Sequence, residues 1–188
     1  MRADGSTAVR YYGTMIFIGQ CIWLILPAYL ANMAPLLAKK LLKDRFSTPI
    51  DSNRLGANKT FRGLIAGMVM GIAVAPAHRA LSSFPIAQRL SLVPYESLNV
   101  TLWGFLLGAG ALLGDAAKSF FKRQRGISPG TPWRPFDQLD FLVGAMALAQ
   151  FVYVPPVPVI LDILLLMPCL KIVSAHVGYA IGWRETRW

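Results

Sequence analysis

The chain has 188 residues, 55% of them hydrophobic and only 15% charged, with a mean hydropathy of +0.48. That balance excludes an ordinary soluble domain and indicates a polytopic membrane protein. The formal net charge of +10 does not argue for nucleic acid, because the cations cluster beside apolar runs, as membrane topology and anionic headgroups or substrates require.

No charge lies between Arg10 and Lys39, which predicts a first transmembrane helix, too long for a signal-peptide core and read as retained. Residues 39–62 follow as a polar loop carrying Lys39, Lys40, Lys43, Arg45, Arg54, Lys59 and Arg62, and Pro49 and Gly56 argue against one continuous helix there. The second apolar segment runs from about Gly63 to Ala77. Its Gly63, Gly67 and Gly71 form a small-residue face suited to close helix packing. Residues 82–96 read as an external loop or surface helix, and Ser97–Gly114 as a third span with Gly104/Gly108 and Gly110/Gly114 pairs. A fourth span is expected from Phe141 to Tyr153 or Val154, ended by Pro155-Pro-Val-Pro158, and a fifth from Asp162 to Trp183. The expectation is one all-α integral-membrane domain over residues 1–188, with five transmembrane helices and two polar cytoplasmic loops that form the active site.

The lysine and arginine distribution orients this scheme. Those of 39–62 join Lys118, Lys122, Arg123, Arg125, Arg134, Arg184 and Arg187 on one side, fourteen in all, against Arg2, Arg10, Arg79 and Arg89 on the other. The positive-inside rule then puts both polar loops and the C-terminus in the cytoplasm and the N-terminus outside. Lys171 falls within the last span, either snorkelling or paired with an acidic neighbour, or else contacting the site. Cys21 and Cys169 lie in apolar segments and read as buried free thiols, and no Cys/His metal spacing is present.

The chemistry concentrates in residues 114–140. Asp115, Lys118 and Lys122 fall at i, i+3 and i+7, one face of a helix, with Ser119 and Arg123 beside it. Beyond a Gly/Pro-rich turn, Asp137 and Asp140 share a face if helical. The plain reading is a solvated positive loop with helix-end carboxylates. The sharper one is that Lys59, Arg62, Lys118, Lys122 and Arg123 converge with Asp115, Asp137 and Asp140 at one membrane face. Aspartates meeting at a point repel unless a cation intervenes, and a hard ion such as Mg²⁺ would relieve that repulsion while keeping phosphate oxygens as ligands. Neither His78 nor His176 is placed as a base. A phosphate-monoester nucleophile, already ionised at neutral pH, needs none. Phosphoryl and nucleotidyl transfer depend mainly on positioning and charge neutralisation.

These motifs resemble the membrane CTP-dependent cytidylyltransferases of phospholipid synthesis, and within them the archaeal CDP-archaeol synthase group. The matching pieces are Pro49-Ile-Asp51, Asn58-Lys-Thr-Phe-Arg-Gly63, Gly114-Asp-Ala-Ala-Lys-Ser-Phe-Phe-Lys-Arg123 and Asp137-Gln-Leu-Asp140. The resemblance implies transfer of CMP from CTP to an isoprenoid-ether glycerol 1-phosphate, giving CDP-archaeol and pyrophosphate with Mg²⁺ in the cell membrane. Carried over by position, Asp115, Asp137 and Asp140 are the metal candidates. Lys59, Arg62, Lys118, Lys122 and Arg123 are the phosphate contacts, and Asp51, Asn58, Thr60, Ser119 and Gln138 the polar pocket. Pro132-Trp-Arg134 and Gln138 depart from the bacterial and eukaryotic CDP-diacylglycerol synthases, which disfavours the alternative of a diacyl phosphatidate substrate. A non-enzymatic alternative, a small transporter, calls for functional charges at mid-membrane, where only Lys171 qualifies.

Overall fold

The computed structural model describes residues 13–128, 131–133 and 135–182; Arg2, Arg10, Arg134, Arg184 and Arg187, used above for orientation and motif, lie outside them. Among the described residues the regular structure is helical, apart from one isolated antiparallel bridge between Pro49 and Thr60. The helices are α1 Gly13–Leu42, α2 Phe61–Leu81, α3 Pro85–Leu90, α4 Val100–Gln124, α5 Phe136–Ala149 and α6 Val157–Ala180. Four of them, α1, α2, α4 and α6, are long and apolar enough to cross a membrane. The fifth expected span corresponds to α6, and the fourth to α5, which has 14 residues. At 1.5 Å per residue it is about 21 Å long, short of a hydrocarbon core of about 30 Å.

Three boundaries differ from the sequence reading. The third span does not stop at Gly114: α4 continues to Gln124, because its charged residues lie on one face and pair with α5. α5 begins at Phe136, five residues before the first apolar run, so Asp137 and Asp140 are helical. α6 begins at Val157, inside the proline-rich break and five residues before the expected Asp162, because Pro158 sits in the first helical turn, where a missing N–H costs nothing. Pro27 and Pro35 lie within α1, and the Ala31 carbonyl, which Pro35 leaves without its helical donor, is covered by Gly67 of α2.

α4 is the central helix, packed on α1, α2 and α5, and its Trp103 and Leu107 belong to one core cluster with Phe141 and Leu142 of α5 and Ile163 and Met167 of α6. The small-residue faces explain this intimacy. A Cβ on Gly71 would stand 2.6 Å from the Gly104 carbonyl oxygen, so the α2–α4 crossing is backbone against backbone. The α4–α5 crossing is closer still: a Cβ on Gly144 would lie 2.1 Å from the Gly110 oxygen and 2.8 Å from the Gly114 Cα. Gly144→Val is therefore expected to destabilise the fold by about 3 kcal/mol or more. Thermal unfolding in detergent checks this, with a fall in Tm of roughly 6–12 °C expected; an unchanged Tm would contradict the close crossing.

The bundle has two chemically distinct ends. At one, His78 Nδ1 lies 3.1 Å from the Tyr95 hydroxyl and the His78 ring stacks on Trp23 at 4.0 Å. Gln20 Nε2 donates to the Arg89 carbonyl at 2.8 Å, and the Tyr153 hydroxyl donates to the Leu92 carbonyl at 2.8 Å, closing that end with the 82–99 segment. Cys21 is buried, whereas Cys169 lies exposed on the outer face of α6, so only one of the two expected buried thiols is buried. The charged residues of 114–140 gather at the opposite end.

Candidate functional site

Three elements deliver this charged end. Residues 43–60 fold back on themselves: Ile50 N donates to the Lys59 carbonyl at 2.8 Å, and Phe61 N to the Thr48 carbonyl at 3.2 Å. This pins Lys59 immediately before α2, where the Thr60 hydroxyl caps the helix by accepting from Gly63 N at 3.2 Å. α4 supplies Asp115, Lys118 and Lys122 one turn apart, and the first two turns of α5 supply Asp137 and Asp140. The glycine crossing brings the last two helices close enough for their side chains to meet; a Cβ on Gly114 would stand 2.1 Å from the Asp140 carbonyl oxygen.

The ammonium of Lys118 is the hub. Its Nζ lies 3.2 Å from Asp115 Oδ1, 2.9 Å from Asp137 Oδ1 and 2.6 Å from Asp140 Oδ2. Around it, Lys59 pairs with Asp115 Oδ2, and Lys122 stands 3.5 Å from Asp137 Oδ1 while donating to the Thr131 carbonyl. Lys171 of α6 stands 3.1 Å from Asp140 Oδ1, donates to the Asp137 carbonyl and lies 4.8 Å over the Phe141 ring. Four lysines thus face three carboxylates, a surplus of positive charge. The Asp140 side chain is 1% exposed, against 22% for Asp115 and 24% for Asp137. Asp140 Oδ1 also accepts from Phe141 N at 2.7 Å, and Asp137 Oδ2 accepts from Trp133 N. Burial acts to raise the Asp137 carboxyl, but the Trp133 N–H and Lys118 outweigh it and hold the group below the usual carboxylate range.

The structure therefore brings together Lys59, Lys118, Lys122, Asp115, Asp137 and Asp140, six of the eight residues expected to converge at one membrane face. Other expected members are engaged elsewhere. Arg62 Nη1 donates to the Lys43 and Arg45 carbonyls, both at 2.6 Å, so this arginine secures the end of α1 instead of reaching the carboxylates. Ser119 is bonded to the Asp115 carbonyl one turn back, at 2.9 Å. Asp51 accepts from the backbone of Asn53 and Arg54 and shapes its own loop. Asn58 is exposed and Gln138 half-buried on α5, while Arg123 is half-buried with an Nε that has no hydrogen-bond partner among the described residues. Lys171 is the residue that spacing alone left open. Its signal was its isolation, since a cation inside an apolar span needs a partner.

Chemically, this arrangement suits polyanions. Lysines clustered around buried carboxylates can exchange those partners for phosphate oxygens while charge stays balanced. Among the described residues, no three acidic, histidine or cysteine groups are spaced to enclose a metal by themselves. Hard carboxylate oxygens presented to one central cation do fit Mg²⁺ where phosphates and water complete the shell, its usual arrangement beside nucleotides.

The chain is similar to known proteins along most of its length. A family model described as CarS-like, CDP-archaeol synthase, matches residues 14–188. The CDP-archaeol synthase of Methanospirillum hungatei is 36% identical over 172 residues, covering 87% of this chain and 100% of its own. That of Thermococcus onnurineus is 36% identical, covering 88% and 94%, and that of Thermofilum pendens 33% identical, covering 89% and 79%. A solved structure of an intramembrane enzyme for archaeal membrane lipid biosynthesis is similar with a TM-score of 0.64 at 30% identity, covering 81% of this chain and 90% of that one. A match across nearly the whole chain, in sequence and in fold, means that this chain belongs to the CarS-like family of CDP-archaeol synthases.

Proposed function

We propose that this membrane enzyme transfers CMP from CTP to an isoprenoid-ether glycerol 1-phosphate, releasing pyrophosphate and forming CDP-archaeol. The observation that carries the reading is the Lys118 ammonium held against Asp115, Asp137 and Asp140 with Lys59, Lys122 and Lys171 around it. The reaction joins two polyanions, and their mutual repulsion is its main obstacle. A surplus of fixed lysines on rigid helices opposes that repulsion with little reorganisation. A phosphate oxygen of the lipid forms the new bond to the α-phosphorus, the bond to the bridging oxygen breaks, and pyrophosphate departs. Lys59 sits at the loop edge of the cluster, placed for the triphosphate, while Lys118 and Lys122 face the reacting phosphates from α4. Mg²⁺, held by carboxylates from among Asp115, Asp137 and Asp140, would supply further neutralisation of the triphosphate.

The same reading gives five membrane crossings, with the site and the C-terminus cytoplasmic and the N-terminus outside. α5 is short by itself, but the chain from Asp140 at the site to Tyr153, bonded to the opposite end, runs the length of the bundle. The charge bias of the loops supports the orientation.

Purified protein supplied with labelled CTP and a panel of lipid phosphates tests the proposal; an absence of lipid-dependent pyrophosphate release across the panel would reject it. Lys59→Ala is expected to weaken CTP binding about tenfold, the worth of one charged hydrogen bond. An unchanged affinity by titration would remove Lys59 from the triphosphate.

A further inference from the structure

An apolar groove of about 790 Å³ runs between the outward faces of α4 and α5. Its floor is made of small residues, Gly114 and Ala117 from α4 and Gly144 and Ala147 from α5, where the two helices cross closely. Leu113, Phe121, Phe136 and Val143 wall it, each at least half exposed. Such a trough on a soluble protein would be an aggregation hazard, but in a bilayer it is open to hydrocarbon chains. Two features set it apart from an ordinary lipid-facing surface. Lys118 and Asp140 belong both to its lining and to the ion-pair cluster, so the trough leads directly to the fixed cations. Arg125 and Trp133 also line it, with the guanidinium 4.9 Å over the indole, so a second cation stands beside the charged end.

From this continuity we infer that the α4–α5 groove seats a hydrocarbon chain of the lipid phosphate substrate, with its phosphate directed to Lys118 and Arg125 and its chain lying over Ala117, Gly144 and Ala147. The inference rests on the cytidylyltransferase reading above and adds the route by which the lipid reaches it. The apolar walls match the chain, and the cations match the phosphate at one end only, which fixes the direction in which the lipid lies. The close helix crossing keeps side chains off the floor and so gives the groove its depth.

Ala147 is exposed on α5, outside the ion-pair cluster, and Ala147→Trp fills the groove without entering the charged site. The full-length protein in detergent is assayed with digeranylgeranylglycerol phosphate and with an analogue bearing five-carbon chains. The expected result is a KM for the long-chain lipid raised about tenfold relative to that for the short-chain analogue, with the KM for CTP unchanged. Arg125→Gln is expected to raise the KM for both lipids and leave that for CTP unchanged. A long-to-short KM ratio equal to wild type, or an equal loss with both lipids accompanied by a lowered Tm, overturns the groove assignment. Wild-type protein inactive on both lipids would instead overturn the functional proposal itself, so the two failures are distinguishable.

Discussion

Asp140→Asn is expected to lower turnover at least about 10³-fold. The substitution keeps the size of the side chain and removes its charge at a position only 1% exposed, where one oxygen faces Lys118 at 2.6 Å and the other Lys171 at 3.1 Å. Removing one partner of a buried ion pair typically costs about 3–5 kcal/mol, because the remaining charge stays desolvated and unpaired. Here two ammonium groups would lose a shared counter-ion. Lys118 would turn more fully toward Asp115 and Asp137, and Lys171 would be left with the Asp137 carbonyl and the Phe141 ring. In the protein that still folds, displacing two fixed charges aimed at phosphate oxygens costs about 10³ in rate, since losing one such group costs about 10²–10³. Labelled-CTP turnover, measured on protein that elutes as a folded species in detergent, provides the check. Activity above a tenth of wild type would mean that the placement of these two lysines is not what the reaction depends on.

Lys118→Met is expected to separate catalysis from folding. Each carboxylate keeps another partner after the change: Asp115 keeps Lys59, Asp137 keeps Lys122 and Trp133 N, and Asp140 keeps Lys171 and Phe141 N. The helix pair should therefore still assemble, and Tm should fall less than in Gly144→Val. What disappears is the one group that, among the described residues, touches all three aspartates at once. Loss of a preorganised charge aimed at phosphate oxygens costs about 10²–10³ in rate. A variant with wild-type turnover would show that the hub is a structural clasp. A variant that fails to fold would show that the other lysines do not hold the helices together, contrary to their geometry.

Much of this was legible in the sequence because it is periodic. Spacing of three and seven residues put Asp115, Lys118 and Lys122 on one helix face, and spacing of three did the same for Asp137 and Asp140. The glycine pairs likewise announced close crossings, since a residue without a side chain at every fourth position has few other uses in an apolar helix. Arg62 shows the limit of such reasoning. It stands in the same motif as Lys59, but helix geometry turns it to the Lys43 and Arg45 carbonyls in the turn just after α1, backbone acceptors outside any helical ladder. Asp51 likewise satisfies its own turn. Motif membership does not distinguish a side chain that serves the backbone from one that serves a ligand.

In α4 and α5 the end of the apolar span and the end of the helix differ for a related reason. Hydropathy ends a span where charges begin, whereas a helix ends where its hydrogen bonds do, and charged residues on a paired face continue both α4 and α5 beyond their apolar cores.

By itself, the sequence determined the all-helical membrane character, the small-residue crossings and the lysine–aspartate chemistry, because composition and period are local properties that need no neighbour to be read. Only the tertiary structure decided that Lys118 meets all three aspartates and that Lys171 joins them from the last helix, 31 residues beyond Asp140. It alone also showed that the outer faces of α4 and α5 form a groove reaching the same charges. Those outcomes depend on how closely and at what register separate helices pack, and that is set jointly by backbones meeting at Gly110, Gly114 and Gly144, not by any one segment.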